Sequence, residues 1–354
     1  MISSRKDEHV RYAVDQQRLR CRHNDFDDVT FLHHALAGTD CAQVSLQTNV
    51  AGRVWTAPLY ISAMTGGSQH TGEINRGLAA AAAETGIPIA AGSMSPFLRD
   101  RSTAETFRVL RTENPSGFVM ANVNANATAD QARRAVDLLC ADALQVHINA
   151  VQEIVMTEGD RAFTNWRRQI DSIVDGVEVP VIVKEVGFGL SRRTVSWLRD
   201  GGVVAADVAG CGGTNFASIE NNRRQDGADY SFIESWGQST PACLIDAAHV
   251  TGIDLLASGG VRSPLDTARA VALGASATGV AGRFLLALVD HGVPGLIAMI
   301  GEWLEQLRQV MAILGSSTPN DLRNTDVILN GNLDTYCRQR RIDATQFAFR
   351  SPVS

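Results

Sequence analysis

The 354-residue sequence predicts an α/β fold, a closed (β/α)8 TIM barrel, and three observations support this class. Eight short runs rich in Val, Ile and Ala recur along the chain. Helical spacing follows most of them, as at 130–139, 191–198 and 264–273. The runs are apolar throughout rather than alternating, which is typical of parallel strands covered by helices, and eight such units close a barrel.

In chain order, the predicted strands occupy residues 57–64, 87–91, 118–121, 143–148, 179–185, 203–208, 253–258 and 276–280. Three additions decorate the barrel, which we place at 56–290. They are an N-terminal extension (1–55), a polar insertion after strand six (about 211–241) and a C-terminal helical segment (291–354). We expect a single domain, because barrels of about 250 residues or more commonly form one unit.

The composition argues against several classes of protein. The net charge is −6 with scattered Lys and Arg, which disfavours a nucleic-acid-binding surface. The six cysteines include no C-x-x-C pair, which disfavours a zinc site and indicates a reducing compartment. The first residues lack the apolar core of a secretion signal, and the apolar stretches look too short or too interrupted to span a bilayer. We therefore expect a soluble cytoplasmic protein with no nucleic-acid or membrane partner.

Small or hydrogen-bonding residues follow every predicted strand. They include Met64-Thr65-Gly66-Gly67, Gly92-Ser93-Met94-Ser95, Asn122, His147, Asn149, Lys184, Glu185, Gly212-Gly213-Thr214, Ser258 to Arg262 and Gly279 to Arg283. Singly, such residues are explained by helix caps and turns. Active sites of barrel enzymes lie where the strands end, so eight such exits together predict a ligand site. The run His147 to Glu153, HINAVQE, would form one of its walls.

The exits of strands seven and eight predict a phosphate site. Glycine-rich turns at 259–262 (GGVR) and 281–283 (AGR) leave backbone N–H groups uncovered, and a helix begins beside them. Helix N-termini attract anions, and barrels commonly bind phosphate at this place. The alternative is two ordinary tight turns.

Lys184 ends a buried strand and therefore needs a partner, because an unpaired buried ammonium is costly. A flavin ring could supply one, since a cation near its N1 and O2 stabilises the charge of the reduced ring. A salt bridge to Glu185 or to an Asp would also satisfy Lys184. A Schiff-base lysine is less favoured, because that chemistry has no evident need of a phosphate site.

The combination of motifs resembles the type 2, FMN-dependent isopentenyl diphosphate isomerases over nearly the whole chain. The matching motifs are RKDEH at 5–9, AMTGG at 63–67, GSMS at 92–95, HINAVQE at 147–153, VKEVG at 183–187, GGT at 212–214 and SGGVR at 258–262. RKDEH and HINAVQE distinguish this family from other flavin barrels.

The resemblance implies a role for each matching position. FMN would contact Ala63, Met64, Thr65, Ser93, Asn122, Lys184, Ala209, Thr214, Gly259, Gly260, Val261, Arg262, Ala281 and Gly282. The substrate would contact Arg5, Lys6, His9, Ser93, Met94, Ser95, His147, Asn149 and Gln152. Glu153 would bind Mg²⁺, and Gln152 and Lys184 would be catalytic. These residue types suit the task, because a diphosphate favours Arg, Lys and His donors and Mg²⁺ favours carboxylate and phosphate oxygens.

The activity implied is the reversible isomerisation of isopentenyl and dimethylallyl diphosphate, with reduced FMN acting as acid and base, Mg²⁺ on the diphosphate and NADPH as the flavin reductant. The resemblance also implies a homotetramer or larger assembly. Two departures from the family are Ala209-Gly210-Cys211, where relatives often have Ser-Gly-x, and Ser95, which is Arg in some relatives. A lost neutral hydrogen bond is worth about 1 kcal/mol, so we expect FMN binding to survive.

Three other functions remain possible at this stage. The chain could act on a different prenyl diphosphate, or bind flavin or diphosphate without catalysis. It could also be a flavin-dependent hydroxy-acid oxidoreductase, which needs a His base and Arg clamps near strands six and seven. The insertion supplies Arg223 and Arg224, but no His lies between His147 and His249.

Overall fold

A computed structural model describes residues 2–19 and 24–351, with the side chains of 2–4 excepted. The strands are β1 (Val29–Phe31), β2 (Thr48–Val50), β3 (Arg53–Trp55), β4 (Leu59–Ile61), β5 (Ile89–Ala90), β6 (Val119–Asn124), β7 (Ala143–His147), β8 (Val181–Lys184), β9 (Ala205–Asp207), β10 (Asp254–Ser258), β11 (Ala277–Val280) and β12 (Val327–Leu329). Strands β4 to β11 form a closed barrel in which β11 pairs with β4. Its strand pairs are parallel, so the predicted (β/α)8 fold is confirmed.

Helices lie between the barrel strands and in both terminal additions. They are α1 (Ile2–Arg18), α2 (Gln69–Thr85), α3 (Ser95–Arg99), α4 (Glu105–Glu113), α5 (Ala129–Leu139), α6 (Ala150–Val155), α7 (Trp166–Gly176), α8 (Arg192–Asp200), α9 (Phe216–Arg223), α10 (Thr240–Ala247), α11 (Pro264–Ala272), α12 (Gly282–Ile313), α13 (Pro319–Leu322) and α14 (Gly331–Arg340). The side chains of Thr128, Ser191 and Ser263 cap α5, α8 and α11 by accepting a backbone N–H of the first turn. These caps explain why the three helices named from the sequence begin within one residue of the predicted positions.

The N-terminal extension closes the lower end of the barrel. Val50 and Trp55 of the β2–β3 hairpin pack into the apolar cluster of the barrel interior. The hairpin is tied to the amino ends of β10 and β11, because Ala51 N–H donates to Asp254 (2.8 Å) and Thr48 Oγ1 donates to the carbonyl of Ser276 (2.9 Å). The opposite end, where the strands exit, is left open for a site.

The two terminal additions pair with each other. Strand β1 pairs antiparallel with β12, so the extension and the C-terminal segment form a two-stranded sheet beside the barrel. Helix α1 buries Val10, Ala13 and Val14 in the main core. The sequence did not predict this helix or these pairings.

Helix α12 tests the expectation that the apolar stretches are too short or too interrupted to span a bilayer. Within the described residues it is the one helix that is long and apolar enough, by length and composition alone, to cross a membrane. The segment is therefore not too short, but it is interrupted by a glycine. Gly292 interrupts its helical geometry (φ 66°, ψ −173°), and Leu296, Ile300 and Trp303 beyond the break are buried in the core. These features are those of a helix that covers a barrel.

Candidate active site

Two adjacent cavities open where the barrel strands exit. The smaller has a volume of about 230 Å³ and the larger about 710 Å³. The residues that line both are Ala63, Met64, Lys184, Val186 and Phe216. The two spaces therefore lie next to each other and share one wall.

The smaller cavity contains most of the predicted substrate residues. It is lined by Arg5, Lys6, His9, Ser93, Ser95, His147, Asn149, Gln152 and Glu153, together with Asn122. Helix α1 of the same chain brings the first three over the mouth of the barrel, and Arg5 pairs there with Glu158 (3.1 Å). Arg99, at the end of α3, adds a further cation to this wall.

Burial lowers the pKa of three basic groups in this cavity, Lys6, His9 and His147. The pKa of Lys6 falls to about 8, mainly through burial and then through the charge of Arg5. Burial, followed by the charges of Lys6 and Lys184, lowers the pKa of His147 to about 3. His147 is therefore neutral at physiological pH, and Lys6 is close to its titration point.

A hydrogen-bond chain orients the His147 ring. Asn122 Nδ2 donates to the carbonyl of Ala91 (3.0 Å), which leaves Asn122 Oδ1 as an acceptor 2.8 Å from His147 Nδ1. This arrangement assigns the proton of the neutral ring to Nδ1 and leaves Nε2 unprotonated. Binding of a phosphate at Nε2 would then favour uptake of a proton.

Glu220 is a site residue that the sequence did not reveal. It lies on α9 in the insertion, and its side chain is fully buried. Gln152 Nε2 donates to Glu220 Oε1 (2.7 Å), and His9 Nε2 lies 3.0 Å from the same oxygen. Burial opposes ionisation of Glu220, but the close approach of His9, the hydrogen bond from Gln152 and the charge of Arg223 outweigh it and lower the pKa to about 2. Glu220 is thus a permanent anion behind Gln152.

Glu153 faces the same cavity from the first turn of α6. Its Oε1 accepts a hydrogen bond from Asn149 Nδ2 (3.1 Å), and its Oε2 accepts one from Asp160 N–H (2.7 Å). Across the described ranges, no group of three His, Cys, Asp or Glu side chains is arranged to hold a metal ion. A divalent cation here would need oxygens from the substrate and water besides Glu153, which is the coordination that Mg²⁺ accepts.

The larger cavity contains backbone donors that could hold an anion. It is lined by Ala209, Thr214, Gly259, Gly260, Val261, Arg262, Ala281 and Gly282. The N–H groups of Gly260 and Val261 donate to no other described residue, and α12 begins at Gly282. Gly259 and Gly260 have positive φ (85° and 81°), and a Cβ on Gly259 would lie 2.1 Å from the carbonyl oxygen of Gly210. The sequence therefore needs glycine to leave these amides exposed to an anion.

Two further observations concern the strand exits beside this cavity. Thr65 Oγ1 is buried at the exit of β4 and has no partner among the residues described, but Thr65 lines neither cavity, contrary to its predicted contact with FMN. Ala209 has a left-handed backbone (φ 38°), and its carbonyl accepts N–H groups from Gly187 (2.9 Å) and Gly189 (3.2 Å). Non-glycine residues in this region store strain and occur preferentially at functional sites.

Lys184 is paired with an Asp, one of the alternatives that the sequence left open. Its Nζ donates to Asp207 (2.9 Å) and to Ser258 Oγ (2.5 Å). Glu185 instead accepts the N–H groups of Val186 (2.6 Å) and Phe188 (2.5 Å). Lys184 nevertheless lines both cavities, so its ammonium could still contact a flavin ring bound there.

Some predicted contacts differ in the structure. Met94 is fully buried in the core and does not line either cavity, because its side chain points away while Ser93 and Ser95 face the substrate space. The guanidinium of Arg262 pairs with Asp27 (2.6 Å) and Asp266 (2.9 Å). These ion pairs hold the Arg262 side chain in place beside the glycine-rich turn at 259–262. Phe216 lines both cavities and was not predicted.

Comparison with known proteins identifies the family. The chain is 63% identical over 351 residues to an isopentenyl-diphosphate delta-isomerase of Nocardia farcinica, covering 99% of this chain and 97% of the relative. The chain belongs to the isopentenyl-diphosphate delta-isomerase family. Other members are 60% identical in Kitasatospora griseola (99% and 95% covered) and 44% identical in Latilactobacillus sakei (96% and 97% covered).

The isomerase-family chain also matches the family of FMN-dependent dehydrogenases, over residues 8–100 and 96–329. Membership in this family supports FMN as the cofactor. Solved structures of mandelate oxidase share the fold, one with a monooxide FMN adduct (TM-score 0.62, 19% identity, 86% of this chain and 90% of the other) and one with benzoyl-formic acid (TM-score 0.62, 19% identity, 87% and 88%). At this identity they show the fold alone.

Proposed function

We propose that this isomerase-family chain catalyses the reversible 1,3-allylic isomerisation of isopentenyl diphosphate to dimethylallyl diphosphate, using reduced FMN and Mg²⁺. One observation carries the proposal: a cavity rich in phosphate donors shares a wall with a cavity suited to FMN, and Gln152 stands in the first of them. The names of the relatives supply the substrate class.

The donors of the smaller cavity bind the diphosphate. Arg5 and Lys6 come from α1, and His147 and Asn149 follow β7, so the anion is held between the helix and the barrel. Charge-assisted hydrogen bonds of this kind are roughly twice as strong as neutral ones. Glu153 would hold Mg²⁺ against the diphosphate oxygens and reduce the repulsion between carboxylate and phosphate.

Bound reduced FMN supplies the acid and base chemistry that moves a proton at the allyl carbons. Lys184 lines both cavities and would orient the ring edge and offset its negative charge. The apolar side chains of Met64, Val186 and Phe216 line both cavities and would limit the access of water. A cationic transition state in a site with little water is stabilised strongly by nearby negative charge.

Gln152 positions the reacting carbons, and Glu220 fixes Gln152. The amide Nε2 donates to Glu220, and its Oε1 accepts from Asn149 Nδ2 (3.0 Å), so both ends of the amide are held. An amide is not a strong base, so Gln152 would act by orienting the substrate or by relaying a proton. The permanent anion at Glu220 also favours positive charge developing nearby.

The test is an isomerase assay with isopentenyl diphosphate, FMN, Mg²⁺ and NADPH. We expect Gln152→Ala and Glu153→Ala to lose activity by about 10²- to 10⁴-fold, the range for lost acid–base or positioning groups, while still binding FMN. Gln306→Ala, an exposed position on α12, is the matched control and should retain full activity. Full activity in both site variants, or a protein that takes up no FMN, would refute the proposal.

The structure disfavours a hydroxy-acid oxidoreductase. In the described part of the chain, the histidines lining the cavities are His9 and His147, and both have a lowered pKa because they are buried. His249 is exposed and lines neither cavity. The same assay with longer prenyl diphosphates tests the second candidate substrate class.

We further propose a soluble cytoplasmic homo-oligomer, a homotetramer or larger, with NADPH as flavin reductant and no nucleic-acid or membrane partner. Exposed apolar side chains on the described surface support association, among them Phe232 and Trp236 in the insertion and Phe349 near the C-terminus. Sedimentation velocity tests this assembly, and a monomer across the measured concentrations would contradict it.

A further inference from the structure

The barrel interior next to both cavities contains a carboxylate that the proposed function does not use. Asp207 on β9 is fully buried and lies opposite Lys184 in the neighbouring strand. Its Oδ2 accepts hydrogen bonds from Lys184 Nζ (2.9 Å) and Tyr60 OH. Its Oδ1 accepts the backbone N–H of Ser258 (3.0 Å). Burying a carboxylate is unfavourable unless several hydrogen-bond donors satisfy it. The donors assembled around Asp207 therefore indicate a functional role.

Five consecutive strands of the barrel assemble this network. Lys184, Asp207 and Ser258 come from β8, β9 and β10, and Tyr60 reaches Asp207 from β4. Tyr60 passes over Gly279 of β11, where a Cβ would lie 2.5 Å from the Tyr60 hydroxyl oxygen. The glycine is therefore required for the Tyr60–Asp207 hydrogen bond, and the whole group forms one unit, called here the lysine support: Tyr60, Asp207 and Ser258.

The lysine support controls the direction of the Lys184 ammonium. An ammonium has three hydrogens to donate. One goes to Asp207 and one to Ser258 Oγ, and Lys184 lines both cavities, so the third is left for a group bound there. Burial raises the pKa of Tyr60 well above its ordinary value, so its hydroxyl stays a donor to Asp207 at physiological pH.

The lysine support also reduces the positive electrostatic potential that the Lys184 ammonium produces in the cavity. The Lys184–Asp207 ion pair has side-chain exposures of only 9% and 0%. Charges separated from water interact strongly, so the anion of Asp207 offsets part of the field of the ammonium. Reduction of a flavin places negative charge on the ring, and that charge responds to the cation beside it.

We propose that Asp207, held by Tyr60 and Ser258, is a positioning residue that directs one Lys184 hydrogen towards the flavin and sets the reduction potential of bound FMN. This inference rests on FMN binding in the proposed function. Asp207 acts through Lys184, so its effect disappears when the lysine is removed. Tyr60 acts in the opposite sense to loss of Asp207, because its hydroxyl offsets the charge of the carboxylate.

The experiment measures the midpoint potential of bound FMN at neutral pH by spectroscopic titration. Asp207→Asn should raise the preference for reduced over oxidised FMN about tenfold, or about 30 mV for a two-electron couple, because the ammonium is no longer offset. Tyr60→Phe should shift the potential downwards by a smaller amount. The matched control is Asp246→Asn, a buried carboxylate on α10 paired with Arg340, which should leave the potential unchanged.

Repeating both substitutions in a Lys184→Met background completes the test. Both shifts should vanish there. An unchanged or lowered potential in Asp207→Asn, shifts of the same sign in the two variants, or shifts that persist without Lys184 would each overturn the inference. If Asp207→Asn does not fold, the sign of the Tyr60→Phe shift and its dependence on Lys184 decide the matter. Failure of the unmodified chain to bind FMN would instead sink the proposed function.

Discussion

Burial and neighbouring charges shift the pKa values of individual side chains in the smaller cavity. Lys6 is only 6% exposed and lies among Arg5, Arg223 and the anion of Glu220. His147 is held neutral. The cavity therefore carries less positive charge at neutral pH than its basic residues suggest, and its attraction for a diphosphate depends on pH.

Lys6 should give the enzyme a basic limb in its pH profile. A lysine is charged below its pKa, and the pKa of Lys6 is lowered to about 8. We therefore expect kcat/KM for isopentenyl diphosphate to fall as pH rises through that value, since kcat/KM reports the free enzyme. Loss of one charged hydrogen bond costs about 1.5–3 kcal/mol, so the decline should be about 10- to 100-fold.

Lys6→Arg is the matched control for this limb. A guanidinium stays protonated throughout the accessible range, so the decline through pH 8 should disappear while activity at lower pH is largely kept. Lys6→Met should be weak at every pH. The same basic limb in Lys6→Arg would show that another group titrates.

The sequence allowed a residue to be placed near the cavities where its position follows from its strand. Ser93, His147 and Lys184 end or follow barrel strands and line the smaller cavity, because all parallel strands end on the same side. Glu220 was missed, because its contacts with His9 and Gln152 depend on how the insertion and the extension fold over the barrel. Its sequence surroundings show only a polar segment.

At the scale of elements, the apolar pattern located all eight barrel strands. It could not locate β1 and β12, because they lie outside the repeating strand–helix pattern and their pairing joins positions 29–31 to 327–329. Short strands joined by contacts so distant in the chain leave no periodic signal. Helix α1 has a mixed polar sequence, and its burial of Val10, Ala13 and Val14 depends on the barrel being present.

The break in α12 has a testable backbone cause. Gly292 has φ 66° and ψ −173°, a conformation that is essentially restricted to glycine. Pro294 follows and has no N–H to continue the helix. Gly292→Ala should therefore destabilise the fold by about 1–3 kcal/mol, measured by equilibrium unfolding in urea with FMN bound.

Gly301 of the same helix is the matched control. It lies within the regular part of α12, and a Cβ there would meet no atom within 4 Å. Gly301→Ala should stabilise the fold by about 0.5–1 kcal/mol, because alanine loses less entropy on forming a helix. Equal effects of the two substitutions would contradict the backbone explanation.

At the scale of the whole molecule, the barrel and the N-terminal extension supply different groups of binding residues. The barrel supplies the larger cavity, with its glycine turns and Lys184. The extension supplies α1, which carries Arg5, Lys6 and His9 to the smaller cavity. Because the two cavities share a wall, a flavin in the larger cavity would lie next to a substrate in the smaller one. The hydrocarbon part of that substrate would then rest on the flavin.

This arrangement predicts energetic coupling between the two ligands. Isopentenyl diphosphate should bind the FMN-loaded chain more tightly than the FMN-free chain, by about 5- to 150-fold, the usual range of coupling between sites. By linkage, the diphosphate should tighten FMN binding by the same factor, which calorimetric titrations in both orders can check.

Inorganic pyrophosphate is the control, because it contacts the diphosphate donors but has no hydrocarbon to rest on the flavin. Its affinity should depend much less on FMN. Equal dependence for both ligands would mean that FMN acts by ordering α1 over the phosphate donors, and no dependence for either would mean that the two cavities bind independently.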